Sequence, residues 1–304
     1  MSEAPQRWQE YRHFSNRLQG DATWKLTVNG ALRLHTSYQV KQNDSGKLVV
    51  TQNSAYEDSK SLETQGEVLA FNSLYSFSLQ RHSETSPWFI TGVVKRGENA
   101  RDRAPGYSEA IRWISGASLG LTNAKALDQL LKQPAFKVVA ISEIIDGAAA
   151  AVRVEFDNGH HWDEGEFFPI QKGVLILDPQ HFWCLRSAKL ECIYSTGALV
   201  SRVNATYDVR GKGLPIPKKV VDDATSEVEG QGTVRSVSEI TYSFVNPTTL
   251  PDDGEFTLSA FGFPEPEFAA TGSQLYLWIG AVGVLCVVTA IVLRSLLRHR
   301  SPAR

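Results

Sequence analysis

The densest run of side chains able to do chemistry is DNGHHWDEGEF at 157–167, which gathers Asp157, His160, His161, Asp163, Glu164 and Glu166. Imidazole and carboxylate groups together are the usual oxygen–nitrogen ligands of zinc. Adjacent histidines in an extended loop diverge, however, and no third ligand follows at helical spacing. The run therefore reads as a solvated turn, with His160, His161 and Asp163 the metal candidates it would offer. Other chemistry has less to stand on. There is no G-x-S-x-G elbow, no H-E-x-x-H, no phosphate loop and no G-x-G-x-x-G. Asp222 and Asp223 read as exposed carboxylates beside a turn. These absences predict no catalytic residue, no cofactor and a protein that is not an enzyme, although a site assembled from distant residues would leave no local motif.

The three cysteines add little. Cys286 lies in an apolar run, and Cys184 and Cys192 share the segment FWCLRSAKLECIY. Eight residues of strand separate two Cα atoms by roughly 26 Å, whereas a disulfide needs about 4.4–6.8 Å. The two are expected to stay unpaired. The charge pattern excludes a nucleic-acid partner: 33 acidic residues oppose 31 basic ones, and no basic stripe is interleaved with aromatics.

The elements that would position any site are mostly strands. TWKLTV, LRLHTSYQVKQ, KLVVTQN, LYSFSLQRH, WFITGVVK, FKVVAISEII, AAAVRVEF, GVLILDP, FWCLRSAKLECIY, ALVSRVNATYDV and TVRSVSEITYSF largely alternate apolar and polar residues, the mark of a sheet with one buried and one wet face. NDSG at 43–46 is a hairpin turn. That makes about eleven strands joined mostly by short connections, so an antiparallel meander is expected. Residues 4–19 read as a helix with Trp8, Tyr11, Phe14 and Leu18 on one stripe, ended by Gly20 and Asp21. A second helix is expected in TNAKALDQLLKQP, and GYSEAIRWISGASLG is weakly helical. The fold class is α+β and β-rich: a large curved antiparallel sheet with helices on its concave side. VNPTTLPDDGEFTLSAFGFPEPEFAATGSQ reads as an acidic, Pro/Gly-rich linker.

Leu275 to Leu293 is a run of 19 residues without a charge. At about 1.5 Å per residue it would span roughly 28 Å, close to a hydrocarbon core. Arg294, Arg298 and Arg300 follow it, while the preceding flank carries only acids after Arg235. The positive-inside rule places the tail in the cytoplasm and the sheet domain outside it. The opening MSEAPQRWQEYRHFSNRLQG has no apolar signal core, so this orientation expects an export signal upstream of Met1. The alternative is a tail anchor with a cytoplasmic domain. The expected organisation is a β domain at 1–247, a linker at 248–274, a transmembrane helix at 275–297 and a basic tail at 298–304.

The order of helix, meander, helical insertion and second meander resembles the LolA-like half-barrel of the outer-membrane lipoprotein carriers. FNSLYSFSLQR with PWFITG, FKVVAIS, GVLILDPQHFWCLR and EFTLSAFGFPEP are similar to stretches of uncharacterised exported bacterial proteins of that type. The resemblance implies an apolar concavity for acyl chains or another hydrophobic ligand. Tyr75, Phe77, Leu79, Val152, Val154 and Phe156 are the candidate lining residues, or else ordinary sheet core. A C-terminal anchor departs from the carriers, so lipoprotein transport is not carried over. Two functions follow as expectations: a single-pass, membrane-anchored extracytoplasmic binding protein of the bacterial envelope with a lipid-like or peptide ligand, or an envelope interaction and sensory protein with a protein partner and no small ligand.

Overall fold

The computed structural model describes residues 3–56, 66–83, 85–96, 127–147, 149–159, 169–194, 197–210, 213–228, 230 and 232–268. Two compact units divide at Phe263/Pro264. The first is built on one helix, α1 (Ala4–Ser15), and six strands, β1 (Gln19–Val28), β2 (Ala31–Gln42), β3 (Lys47–Tyr56), β4 (Gly66–Phe71), β5 (Tyr75–Arg81) and β6 (Phe89–Lys95). After a short helix α2 (Leu127–Leu131) come β7 (Lys137–Asp146), β8 (Ala149–Asp157), β9 (Ile170–Asp178), β10 (Cys184–Tyr194), β11 (Gly197–Arg210), β12 (Leu214–Val228) and β13 (Gly232–Val245). Of the second unit only Pro264–Phe268 is described, without regular structure.

All thirteen strands form one antiparallel sheet in the order β6-β5-β4-β3-β2-β1-β13-β12-β11-β10-β9-β8-β7. The chain starts in the middle, meanders to one edge, crosses to the other and meanders back. One apolar cluster contains Val49 and Leu69 from β3 and β4 together with Val154 and Leu175 from β8 and β9. Those strands would lie roughly 38 Å apart in a flat sheet at ~4.8 Å per strand, so the sheet curves until they share one core. Trp8, Tyr11 and Leu18 from the N-terminal segment and Leu127 and Leu130 from α2 fill the concave side within the same cluster. An Arg12–Asp128 ion pair joins the two helices.

The expected count of about eleven strands misses β4 and β12. β4 is only six residues long. β12 carries Pro215 and Pro217 as well as Asp222 and Asp223, all of which argue against a central strand. The pairing resolves this: Leu214–Pro217 bonds only to β11, because the ladder to β13 begins at Lys219↔Thr241. The prolines thus sit at a local edge, where a missing N–H costs nothing, and Tyr11 Oη of α1 donates to Pro215 O at 2.7 Å there. Asp222 and Asp223 lie mid-strand, not beside a turn. Asp222 is buried and accepts from Ser201 Oγ, while Asp223 pairs with Arg235 at 2.7 Å.

The first helix also ends earlier than expected, at Ser15 instead of residue 19. Gln42 Nε2 donates to the carbonyls of Ser15 and Leu18, and Gln19 already pairs with Val245. Gly20 has φ +139°, and a Cβ there would stand 2.2 Å from Ser243 O, so the strand approaches too closely for any side chain.

The expected linker is domain for much of its length. Asp253–Phe256 and Leu258–Phe261 are 3-10 turns packed on the convex face. Phe256 and Leu258 are buried, Asn72 Nδ2 donates to Phe256 O, and the Leu258 amide donates to Tyr75 Oη. Gly46 leaves room for the Phe256 ring. The first compact unit therefore extends to Phe263. No helix among the described residues is long and apolar enough to cross a membrane, and the expected span, with Leu275, Leu293, Arg294, Arg298 and Arg300, lies outside the described residues.

Candidate functional site

The six candidate lining residues are all buried, but strand parity separates them. Val49 pairs with Leu69 on the concave face, so Val68 and Ala70 point the other way, as do their partners Leu79 and Phe77. Tyr75, Phe77 and Leu79 therefore face the convex side, where the Tyr75 hydroxyl and the Phe77 ring meet the 3-10 turns, the latter edge to face with Phe261 at 5.9 Å. Val152, Val154 and Phe156 belong to the concave core, and Phe136 stacks on Phe156 at 5.5 Å. The two trios do not line a common surface. His160, His161 and Asp163 lie outside the described residues. No group able to hold a metal occurs among the described residues. Cys184 and Cys192 are free, as the strand geometry requires.

A different constellation forms beside the concave core, where β9 turns into β10. Asp178 at the end of β9 organises it. Its Oδ1 accepts from the Gln180 amide at 3.0 Å, the Asx-turn geometry that an Asp-Pro sequence favours. Its Oδ2 contacts His181 Nδ1 at 2.8 Å and accepts from Arg186 Nη2 at 2.6 Å and Nε at 3.1 Å. Burial raises the Asp178 carboxyl, but the hydrogen bonds of His181 and Arg186 outweigh it and hold its pKa below the ordinary carboxylate value. Arg186 reaches this position because it is the extra residue of a β-bulge: Leu185 pairs with Leu177 and Ser187 with Ile176. Lys218 is the extra residue of a second bulge facing Thr206 and Tyr207. Bulges re-aim side chains in this way.

These groups rim a cavity of about 450 Å³. Asp146, Asp178, His181 and Arg186 give it a charged side, Ser187, Asn204 and Thr206 add further polar lining, and Cys184, Tyr207, Val209 and Pro215 add apolar wall. Tyr207 and Cys184 are part of, or packed on, the core cluster. Burial and the nearby Asp178 charge push the Cys184 thiol well above its ordinary pKa, so it is no thiolate nucleophile for the His181–Asp178 pair. Burial likewise keeps the Tyr207 phenol protonated, and it donates to Leu185 O at 2.6 Å. The arrangement can hold a small molecule with a polar end at the charged side and an apolar body against the wall. Sequence reasoning missed this site, because its residues come from five strands and the turn between β9 and β10.

No protein-family model matches the chain, and no curated protein sequence does. Among solved structures, the S-type phycobiliprotein lyase CPES from Guillardia theta matches at 9% identity, over 82% of this chain and 97% of that one, with a TM-score of 0.23.

Proposed function

We propose that this protein is a binding module that holds an amphiphilic small molecule in the cavity beside the β9–β10 turn, with the ligand's polar end at Asp178, His181 and Arg186. The observation that carries the reading is the 450 Å³ cavity, one side of which is charged and whose wall joins the apolar core. That volume lies within the range of small-ligand sites. A resemblance to the carrier half-barrel points to the same class of ligand. The 275–293 run anchors the module in the bacterial cytoplasmic membrane as a single span, with the sheet domain outside the cytoplasm, because four arginines follow the run. The proposed role is binding and not catalysis.

The test uses the full chain. It is expected to stay in alkali-washed membranes and, after mild detergent extraction, to show a bound small-molecule mass by native mass spectrometry. Arg186→Ala, which removes the cation of the charged side, should lower occupancy at least threefold. A clean unliganded mass for the unaltered chain, with no uptake of added amphiphile, would overturn the reading.

A second reading, a protein–protein contact, is favoured by the sheet edge at β7. Ile145 is 81% and Val139 65% exposed, with Val138 and Ile141 also open. Exposed apolar edge strands pair readily with another chain. A photo-crosslinker at Ile145 should capture one discrete partner in cells under this reading, and none if the edge is idle.

A further inference from the structure

β7 leaves one edge of the sheet open. Over its ten residues every side chain is exposed except the partly buried Ile144. Among the described residues no strand pairs with its outer side. The opposite edge, β6, is exposed only at Phe89 and Ile90. A long edge strand with open main-chain groups and apolar side chains is a template for a further strand, and β7 holds no proline to block it.

The sequence of β7 is complementary to itself. In an antiparallel pair, residues directly opposite turn their main-chain groups the same way. Two copies of one strand therefore pair about a two-fold axis that passes through a residue. Val139 is the extra residue of a β-bulge against β8, since Val138 pairs with Phe156 and Ala140 with Glu155. With that bulge kept in both copies, an axis at Ser142 sets Ile141 opposite Glu143 of the second copy and Ala140 opposite its Ile144. Val138 then faces Ile145 and Lys137 faces Asp146, so the whole strand is paired and opposite charges meet at both ends. An axis at Glu143 would set two carboxylates face to face. An axis at Ile141 would set Lys137 opposite Ile144 and carry Asp146 past the end of the strand. The faces agree as well. Val138, Ile141 and Ile145 pair across to Phe156, Val154 and Ala150 of β8, so they share one face, and the same three from the second copy join them at the seam.

We propose that β7 is the contact between two copies of this chain, paired antiparallel about Ser142 into one continuous sheet. This rests on the reading of the edge as a protein contact and names the partner. Burial of the exposed valines and isoleucines supplies the attraction, and the charged ends fix the register. The second copy also reaches the cavity. Asp146 lines it and lies 3.8 Å from Arg186 Nη1, so Lys137 of the second copy arrives at the cavity's charged side. A contact one strand wide is small beside a standard interface of about 1,600 Å², so the pairing is weak in dilute detergent and a covalent trap reads it best.

The experiment is disulfide trapping of the full chain in membranes, with Cys286 replaced by Ser; Cys184 and Cys192 are buried. At the axis the two Ser142 Cα atoms stand about 4.5–5.5 Å apart, within disulfide reach. Ser142→Cys should give a covalent dimer under mild oxidation, in about fivefold higher yield than Glu143→Cys, whose two copies stand two residues out of register. Adding Ile145→Lys, at a side chain too exposed to hold the fold, should cut the Ser142→Cys yield about tenfold. No dimer from Ser142→Cys, equal yields at Ser142 and Glu143, or a yield indifferent to Ile145→Lys would overturn the self-pairing. The photo-crosslinker at Ile145 then separates the two failures. Capture of a different protein leaves β7 a contact with another partner, and capture of nothing removes both readings.

Discussion

Trp8→Ala is expected to lower the unfolding free energy by about 4 kcal/mol, the usual cost of truncating a fully buried Trp. The indole is 2% exposed in the concave core, and its Nε1 donates to Trp183 O at 2.9 Å. That carbonyl belongs to a turn in which Phe182 and Trp183 hold φ of 59° and 56°, a conformation residues other than glycine adopt only when neighbours enforce it. α1 supplies much of the enforcement. Trp8 holds the carbonyl, Tyr11 meets the Phe182 ring at 6.0 Å, and Arg7 lies 5.9 Å over it. Removing the indole leaves a cavity and an orphaned carbonyl and frees the turn that carries His181. Urea unfolding should show the loss, with a melting temperature lower by about 10 °C. Trp8→Phe keeps most of the volume and loses the N–H, so it should cost only about 1–2 kcal/mol. If the two variants lost the same small amount, α1 would not be the clamp described here. Ligand occupancy should fall in Trp8→Ala as well, because the turn is one wall of the cavity.

Lys47→Met has the opposite sign. Burial lowers the Lys47 pKa from 10.5 to about 7. Below pH 7 the amine is charged in both the folded and unfolded chains, and the folded state carries the full cost of a buried charge. Between pH 7 and 10.5 the unfolded chain binds a proton that the folded chain does not, so stability rises with pH across that window. Above 10.5 both forms are neutral and the cost is gone. At ~1.4 kcal/mol per unit, Lys47→Met should stabilise the chain by up to about 5 kcal/mol at pH 6, and the gain should shrink to nothing above pH 10.5. Chemical denaturation of both proteins at pH 6, 8 and 10.5 measures this. A gain that did not change with pH would mean that Met packs better and that the ammonium is not the source of the cost.

The alternation of apolar and polar residues made most strands legible, as in Val152, Val154 and Phe156 of β8, because period two is a local property of the chain. The Trp8–Tyr11 stripe marked α1 as a packing helix for the same reason, and the spacing of Cys184 and Cys192 ruled out their disulfide. The helix end and the two missed strands were not legible, since each depends on a distant partner. Ser15 ends α1 because Gln42 takes the carbonyls there, and Pro215 and Pro217 fit β12 because β13 has not yet begun beside them. Face assignment is likewise a matter of register. Tyr75 and Val152 alternate equally well in sequence, but pairing through β3, β4 and β5 sends one to the convex side and leaves the other in the core.

The chemistry divides in the same way. By itself the sequence determined a β-rich chain with an amphipathic first helix, and it held no catalytic signature, because those properties are written in residues close together. Only the tertiary structure decided that Asp178, His181, Arg186 and Tyr207 share one cavity and that Lys47 is buried beside Gln42. Those juxtapositions arise from strand order, bulges and curvature, which are set by contacts between residues far apart in the chain.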